Sequence, residues 1–327
     1  MSERTGLGPL EDALLATLAN FGATPAGRHV KCARLAKEVE AGFGYGPRHS
    51  YDAICQLARP WVTQLPLVDG HGNFGSGDET AADARYNEAR LSDIGALAVA
   101  AERGELAPLP IALINGTFWR GGSAPPFDAS RVVATLLRIV SSRDLADDEI
   151  VAHVGPPVFP TGCEVGGELD ALVAGDPATL HLAARIHLES RPGDGGTGYD
   201  YQRGLMPGER ALIVTGLPPG FGPDYVTNGL AQLPRRRPGA VPAAPGLRDV
   251  RNVSMRDARI ACVIAEGADI ALIEAKLRGV WGVDATARAQ LAGPLPDILR
   301  SWVEAHSPED LRASLEVLRR QLRGGLE

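Results

Sequence analysis

The spacing of apolar residues changes about a third of the way along this chain, and that change limits what it can fold into. Before it, apolar residues recur at helical intervals. Leu10, Leu14, Leu18 and Phe21 mark one helix, which Gly22 ends. A second is expected from Val30 to Ala41. A third, anchored by Tyr51, Ile54, Cys55 and Ala58, stops before Pro60. An apolar run, Leu65 to Val68, leads into the glycine-rich loop Asp69 to Gly77. A fourth helix is expected from near Ala81, turning Leu91, Ile94, Leu97 and Ala98 inward.

Beyond about residue 105 the pattern mixes. Leu109 to Asn115 reads as a strand, and Asp128 or Ser130 can cap a helix carrying Val132, Val133, Leu136, Leu137 and Val140. Strict alternation from Leu180 to Glu189 predicts one half-buried strand. Further strands are expected at Ala211–Thr215 and Arg259–Ala265, with helices near Asp224–Leu233 and Asp269–Gly279. Arg191–Asp200, with its weak Gly193–Gly198 pattern, and Pro234–Gly246, with Arg235-Arg236-Arg237, read as mobile surface loops. Ser307, Pro308, Glu309 and Asp310 start a last helix, and Leu311, Leu315, Leu318 and Leu322 could begin a coiled coil. The fold class is therefore α+β.

Composition narrows the function. A net charge of −7 gives no global basic field, so any nucleic-acid contact needs a local basic surface. Cys32, Cys55, Cys163 and Cys262 are far apart and lie in apolar patterns, which suits buried free thiols in a cytoplasmic protein. The seven histidines show no ligand spacing, and no metal site is expected. No segment approaches the ~20 apolar residues that span a bilayer.

Several stretches carry a resemblance. Leu65-Pro-Leu-Val-Asp-Gly-His-Gly-Asn-Phe-Gly-Ser-Gly77 and Ala84-Arg-Tyr-Asn-Glu-Ala-Arg-Leu91 resemble L-V-D-G-Q-G-N-F-G-S and R-Y-T-E-x-R-L of the A subunits of DNA gyrase and topoisomerase IV. Lys31-Cys-Ala-Arg34 and Tyr51-Asp-Ala-Ile54 are similar to that family's K-S-A-R and Y-D-x-I. Pro110–Gly116 and Val154–Thr161 resemble its P-N-L-L-V-N-G and I-P-G-P-D-F-P-T, and Gly6-Leu-Gly-Pro9 its G-L-K-P.

The resemblance implies a winged-helix breakage–reunion module over residues 1–105, a tower-like α/β domain over 106–305, and a terminal helix over 306–327 that ends where the family's coiled coil begins. It implies a type IIA topoisomerase activity, in which duplex DNA is broken and rejoined through a covalent 5′-phosphotyrosine at Tyr86. A phenol with a pKa near ~10 is a poor nucleophile at neutral pH and needs nearby positive charge, a base or a metal. Arg85 matches the family arginine that stabilises the phosphate in flight. Lys31, Arg34, Arg48, His49, Asn73, Ser76 and Arg90 are the implied DNA contacts. The implied assembly is a homodimer with a B-type partner, which alone would carry ATP and Mg²⁺.

The departures fall on charge. Phe43–His49 replaces the family's Y-H-P-H-G-D-S, leaving Arg48 or His49 to stand in for its histidines. Gly8-Pro-Leu-Glu-Asp-Ala13 puts acids where the family has K-P-V-H-R-R. Arg4, at the frayed start, is similar to another family arginine. Ala124 stands where a large apolar residue wedges DNA. These changes weaken phosphate contact, which supplies most DNA affinity. The alternatives are a catalytically weak binding protein that regulates one of the topoisomerase subunits, and a structural DNA-binding protein.

Overall fold

The computed structural model describes residues 4–142, 144–193, 199–235, 242–255 and 257–324. The centres of both expected surface loops, 194–198 and 236–241, lie outside the described residues, as do Arg236 and Arg237.

Three helices open the chain: α1 (Pro9–Asn20), α2 (Cys32–Phe43) and α3 (Pro47–Ala58). Pro at the first turn of α1 and α3 supplies the fixed φ that a helix start needs. The short strands β1 (Val30–Lys31), β2 (Val68–His71) and β3 (Glu88–Leu91) form an antiparallel sheet in the order β1-β3-β2. Helix α4 (Asp93–Glu102) follows, capped by Ser92, whose hydroxyl accepts the Gly95 N–H.

The expected helix from Ala81 is therefore corrected. Residues 84–86 form a turn, and Glu88–Leu91 alternate as a strand with Ala89 and Leu91 buried. The expected strand at Leu109–Asn115 is also corrected: Ile111–Asn115 is a short helix, α5. A short apolar run buried on all sides carries no period that separates strand from helix. Helix α6 (Ala129–Ser141) starts on Asp128, as expected, and α7 (Asp147–Val154) follows.

Strands β4 (Glu164–Gly167) and β5 (Ala178–Ala183) flank the short helix α8 (Leu169–Val173). Next come β6 (Arg185–Ser190), β7 (Arg210–Thr215), α9 (Pro223–Leu230), β8 (Leu247–Asn252), β9 (Arg259–Ile264), α10 (Ile270–Arg278) and β10 (Asp284–Ala289). They make two further antiparallel sheets, β10-β5-β4 and β6-β7-β9-β8. The alternating stretch Leu180–Glu189 is thus two strands of two different sheets. It breaks at Ala184, whose N–H donates to Val283 O at 2.7 Å. Continuous alternation fixes which face each side chain takes, but not which neighbour each half pairs with.

Among the described residues two large apolar cores result, with a small third cluster of Leu205, Ala211, Ile213, Ala261 and Val263. The larger runs from Leu7 to Leu182 and is joined by Ala289 to Leu318. Helices α11 (Leu295–Glu304) and α12 (Pro308–Gly324) close it. Leu311, Leu315 and Leu318 of α12 are fully buried and pack on α6 and α4 of the same chain. The second core lies between the β6-β7-β9-β8 sheet and helices α9 and α10, with Leu212, Val214, Val226, Ile260, Ile273 and Leu277 at its centre. The molecule thus mixes helices with small antiparallel sheets.

Candidate active site

Tyr86 sits in the turn before β3, not at the start of a helix, and its side chain is 65% exposed. Asp83 makes the turn: its carbonyl accepts the Tyr86 N–H at 2.9 Å and its carboxylate the Arg85 N–H at 3.0 Å. The Arg85 guanidinium lies 5.1 Å from the centroid of the Tyr86 ring and pairs with Asp83 at 3.3 Å.

Asn87 anchors this turn from beneath. It is 1% exposed. Its amide nitrogen donates to Tyr51 Oη at 2.7 Å and to Asn73 O at 2.6 Å, while its Oδ1 accepts the Asn73 N–H at 2.9 Å. Tyr51 Oη in turn donates to Ala82 O. Burial, then the neighbouring Cys55, pushes the Tyr51 phenol further above its ordinary range, so it stays a neutral donor. Gly72, at φ +122°, is required here, because a Cβ would come within 2.4 Å of Asn87 Oδ1. The motif residues Tyr51, Gly72 and Asn73 thus converge on the segment that carries Tyr86.

The start of α2 meets the same segment. Cys32 N–H donates to Asn87 O at 3.0 Å and Ala33 N–H to Ala84 O at 3.1 Å. Lys31 pairs across the β1–β3 ladder with Glu88, Nζ to Oε1 at 2.9 Å, and this contact holds the Glu88 carboxyl below its usual range. Arg34, in the first turn of α2, lies 4.7 Å from the Phe21 ring centroid. Arg90 reaches Asp69 at 2.7 Å and Gly27 O at 3.0 Å.

Other expected contact residues lie apart or face inward. Asn73 Oδ1 accepts the Gly75 N–H at 2.7 Å, and Ser76 Oγ accepts the N–H groups of Asp78 and Glu79 at 3.2 and 3.1 Å. Both side chains hold the glycine loop's own shape. Arg48 and His49 are exposed at the start of α3, and no hydrogen bond or ion pair among the described residues ties them to the Tyr86 turn. His49 instead lines an open cleft of about 850 Å³ with Glu11, Asp52 and Arg120.

The acids of α1 also turn inward. Glu11 is 7% exposed and pairs with Arg120 at 3.7 Å. Burial, with Glu102 and Glu11 nearby, raises the Asp12 carboxyl to about 7. Arg4 is not frayed: its guanidinium donates to Ala101 O and, at 2.7 Å, to Leu106 O, beyond the end of α4.

Reading the sequence missed Asn87, Asp83 and Asp78. The last accepts the Asp224 N–H at 2.9 Å and so ties the glycine loop to the start of α9. For Asn87 a signal existed, an amide where the family motif has threonine. Asp78 caps a helix 146 residues away, a pairing that no local pattern reveals. Among the described residues, no group of three or more His, Cys, Asp or Glu is placed to hold a metal ion, and no helix is long and apolar enough to cross a membrane.

The geometry therefore sets an exposed phenol on a braced turn, beside the Arg85 guanidinium and joined through Ala84 and Asn87 to the start of α2. Residues 4–107 match the family of DNA gyrase and topoisomerase IV A subunits. The chain is 28% identical to the DNA gyrase A protein of Synechocystis over 78% of its own length and 31% of that protein's. It is 25% identical to the DNA gyrase A protein of Chlamydia muridarum over 98% of itself and 40% of that protein. With the DNA topoisomerase 4 A protein of Synechocystis it shares 29% identity over 66% of itself and 25% of that protein. The chain spans well under half the length of these relatives. The chain is similar to the A subunits of type IIA topoisomerases.

Proposed function

We propose that this chain cuts and reseals duplex DNA through Tyr86, working in the cytoplasm as a homodimer with a B-type partner. Tyr86 Oη attacks a backbone phosphorus, forming the phosphotyrosyl bond as the P–O3′ bond breaks. The phenolic proton is lost and the departing 3′ oxygen takes up a proton. Because the phosphodiester energy is kept in the new linkage, the 3′ hydroxyl can reverse the step without outside energy. Arg85 and the α2 start stabilise charge on the phosphate. The partner would supply Mg²⁺ and ATP hydrolysis.

The observation that carries this reading is the exposed Tyr86, held with Arg85 on a turn braced by Asn87 and Tyr51. The three helices and the β1-β3-β2 sheet support a winged-helix reading of residues 1–105, with Lys31, Arg34 and Arg90 as phosphate contacts. Asn73 and Ser76 would act through the loop they shape, and Arg48 and His49 from the neighbouring face of α3. The test mixes the chain with candidate B-type partners, Mg²⁺ and supercoiled DNA, then traps covalent complexes with denaturant. A Tyr86-dependent adduct is expected; its absence with every such partner would sink the proposal.

One observation favours a second reading, a binding protein that regulates one of the topoisomerase subunits. Lys31, Arg85 and Arg90 each already have a carboxylate partner in Glu88, Asp83 and Asp69. Cations paired in this way are less available to a DNA phosphate, which suits a protein that binds a protein partner. Under the second reading, co-purification with the regulated topoisomerase would be insensitive to Tyr86→Phe.

A further inference from the structure

Between the two apolar cores lies a cavity of about 400 Å³ that plays no part in the Tyr86 chemistry. Five aromatic side chains line it, among prolines, glycines and small polar residues. Trp61 comes from the segment after α3, Phe118 and Trp119 from the single helical turn after α5, Phe159 from the loop before β4, and Phe221 from the loop before α9. Phe118 and Phe159 meet edge to face, with centroids 5.6 Å apart. Phe118, Trp119 and Phe159 belong to the first core and Phe221 to the second, so the cavity straddles the junction.

Charge on the walls is one-sided. Among the described residues, Arg59 is the one charged side chain lining this cavity, and no carboxylate does so. Its Nε–H donates to Phe74 O at 2.8 Å, which fixes the guanidinium 5.9 Å from the Trp61 ring centroid. A volume of this size suits a small organic molecule, and junctions between structural units are common places for one. Flat aromatic walls favour a flat ring system, because faces and edges of π-systems attract one another. A fixed guanidinium with no carboxylate on the same walls favours a negative charge on that ring system.

We infer that this cavity is a binding site for a small planar aromatic anion, which would contact both cores at once. Such a ligand binds the folded junction and not the unfolded chain, so it raises the melting temperature as its concentration rises. The inference does not depend on DNA cleavage.

The test uses the intact chain and 8-anilinonaphthalene-1-sulfonate, with neutral N-phenyl-1-naphthylamine as the uncharged counterpart. The sulfonate is expected to bind one site per chain, saturably, with quenching of tryptophan fluorescence. Arg59→Gln keeps a donor for Phe74 O and removes the charge. It should weaken the sulfonate roughly tenfold or more while leaving the amine's affinity unchanged. Phe221→Leu, on the wall contributed by the second core, should weaken both probes. Non-saturable binding to the unaltered chain would overturn the inference, as would equal affinity of the sulfonate for Arg59→Gln.

Discussion

Asn87 explains why an exposed tyrosine can be held in place at all. The Tyr86 side chain has little packing of its own, so its position depends on the buried amide that follows it. Asn87→Ala would leave the Asn73 N–H without its acceptor and remove a donor to Tyr51 and Asn73 O. A loss of about 1–3 kcal/mol is expected in urea unfolding, since buried polar groups without partners cost roughly that much. Tyr86→Phe touches no buried contact and should leave stability within about 0.5 kcal/mol. Asp12 makes a prediction of opposite sense. Its carboxyl is raised from 3.8 to about 7, chiefly by burial and then by Glu102 and Glu11. The folded chain therefore holds this proton more tightly than the unfolded one. The stabilisation is complete below about pH 3.8 and disappears as pH rises through about 7. Asp12→Asn should melt higher than the parent above pH 7, and the gap should close towards pH 4; a gap that is constant from pH 4 to 8 would contradict the assignment.

Elements were legible where one period ran long enough to count. The leucines of α1, the cap on Asp128 and the proline-led start of α12 lie where the apolar spacing puts them. Glu88–Leu91 did not show as a strand, because four alternating residues just before a helical run continue its apolar count. Ile111–Asn115 had no period to read. The motif Arg85-Tyr86 marked the candidate turn, whereas its support from Tyr51, Asn73 and α2 depends on packing between elements distant in sequence. Asp78 shows the same limit. It caps α9 from within the glycine loop, and a Cβ on Gly222 would come within 2.0 Å of its carboxylate. Replacing a cap with alanine typically costs about 1 kcal/mol. Asp78→Ala should therefore speed amide exchange at Asp224 and Tyr225 while leaving α6 protected.

At the scale of the molecule, both ends of the described chain share one core. Leu7 lies near the start and Leu318 near the end, and both are buried in the cluster that supports α1, α3 and β3. The last helix is thus part of the scaffold of the candidate site. Leu315→Ala, at a fully buried position, should cost about 2–5 kcal/mol. Melting followed by near-ultraviolet dichroism would show that loss across the larger core. Under the proposed function, and against a net charge of −7, DNA affinity would come from the local cations around the Tyr86 turn. The proposed DNA cleavage rests on Tyr86 as the nucleophile. Its most direct test digests the trapped DNA complex with trypsin and nuclease and sequences the nucleotide-bearing peptide by mass spectrometry. A phosphodiester on Tyr86 is expected, with none recovered from Tyr86→Phe; a nucleotide on any other residue, or an adduct that persists in Tyr86→Phe, would rule Tyr86 out as the nucleophile.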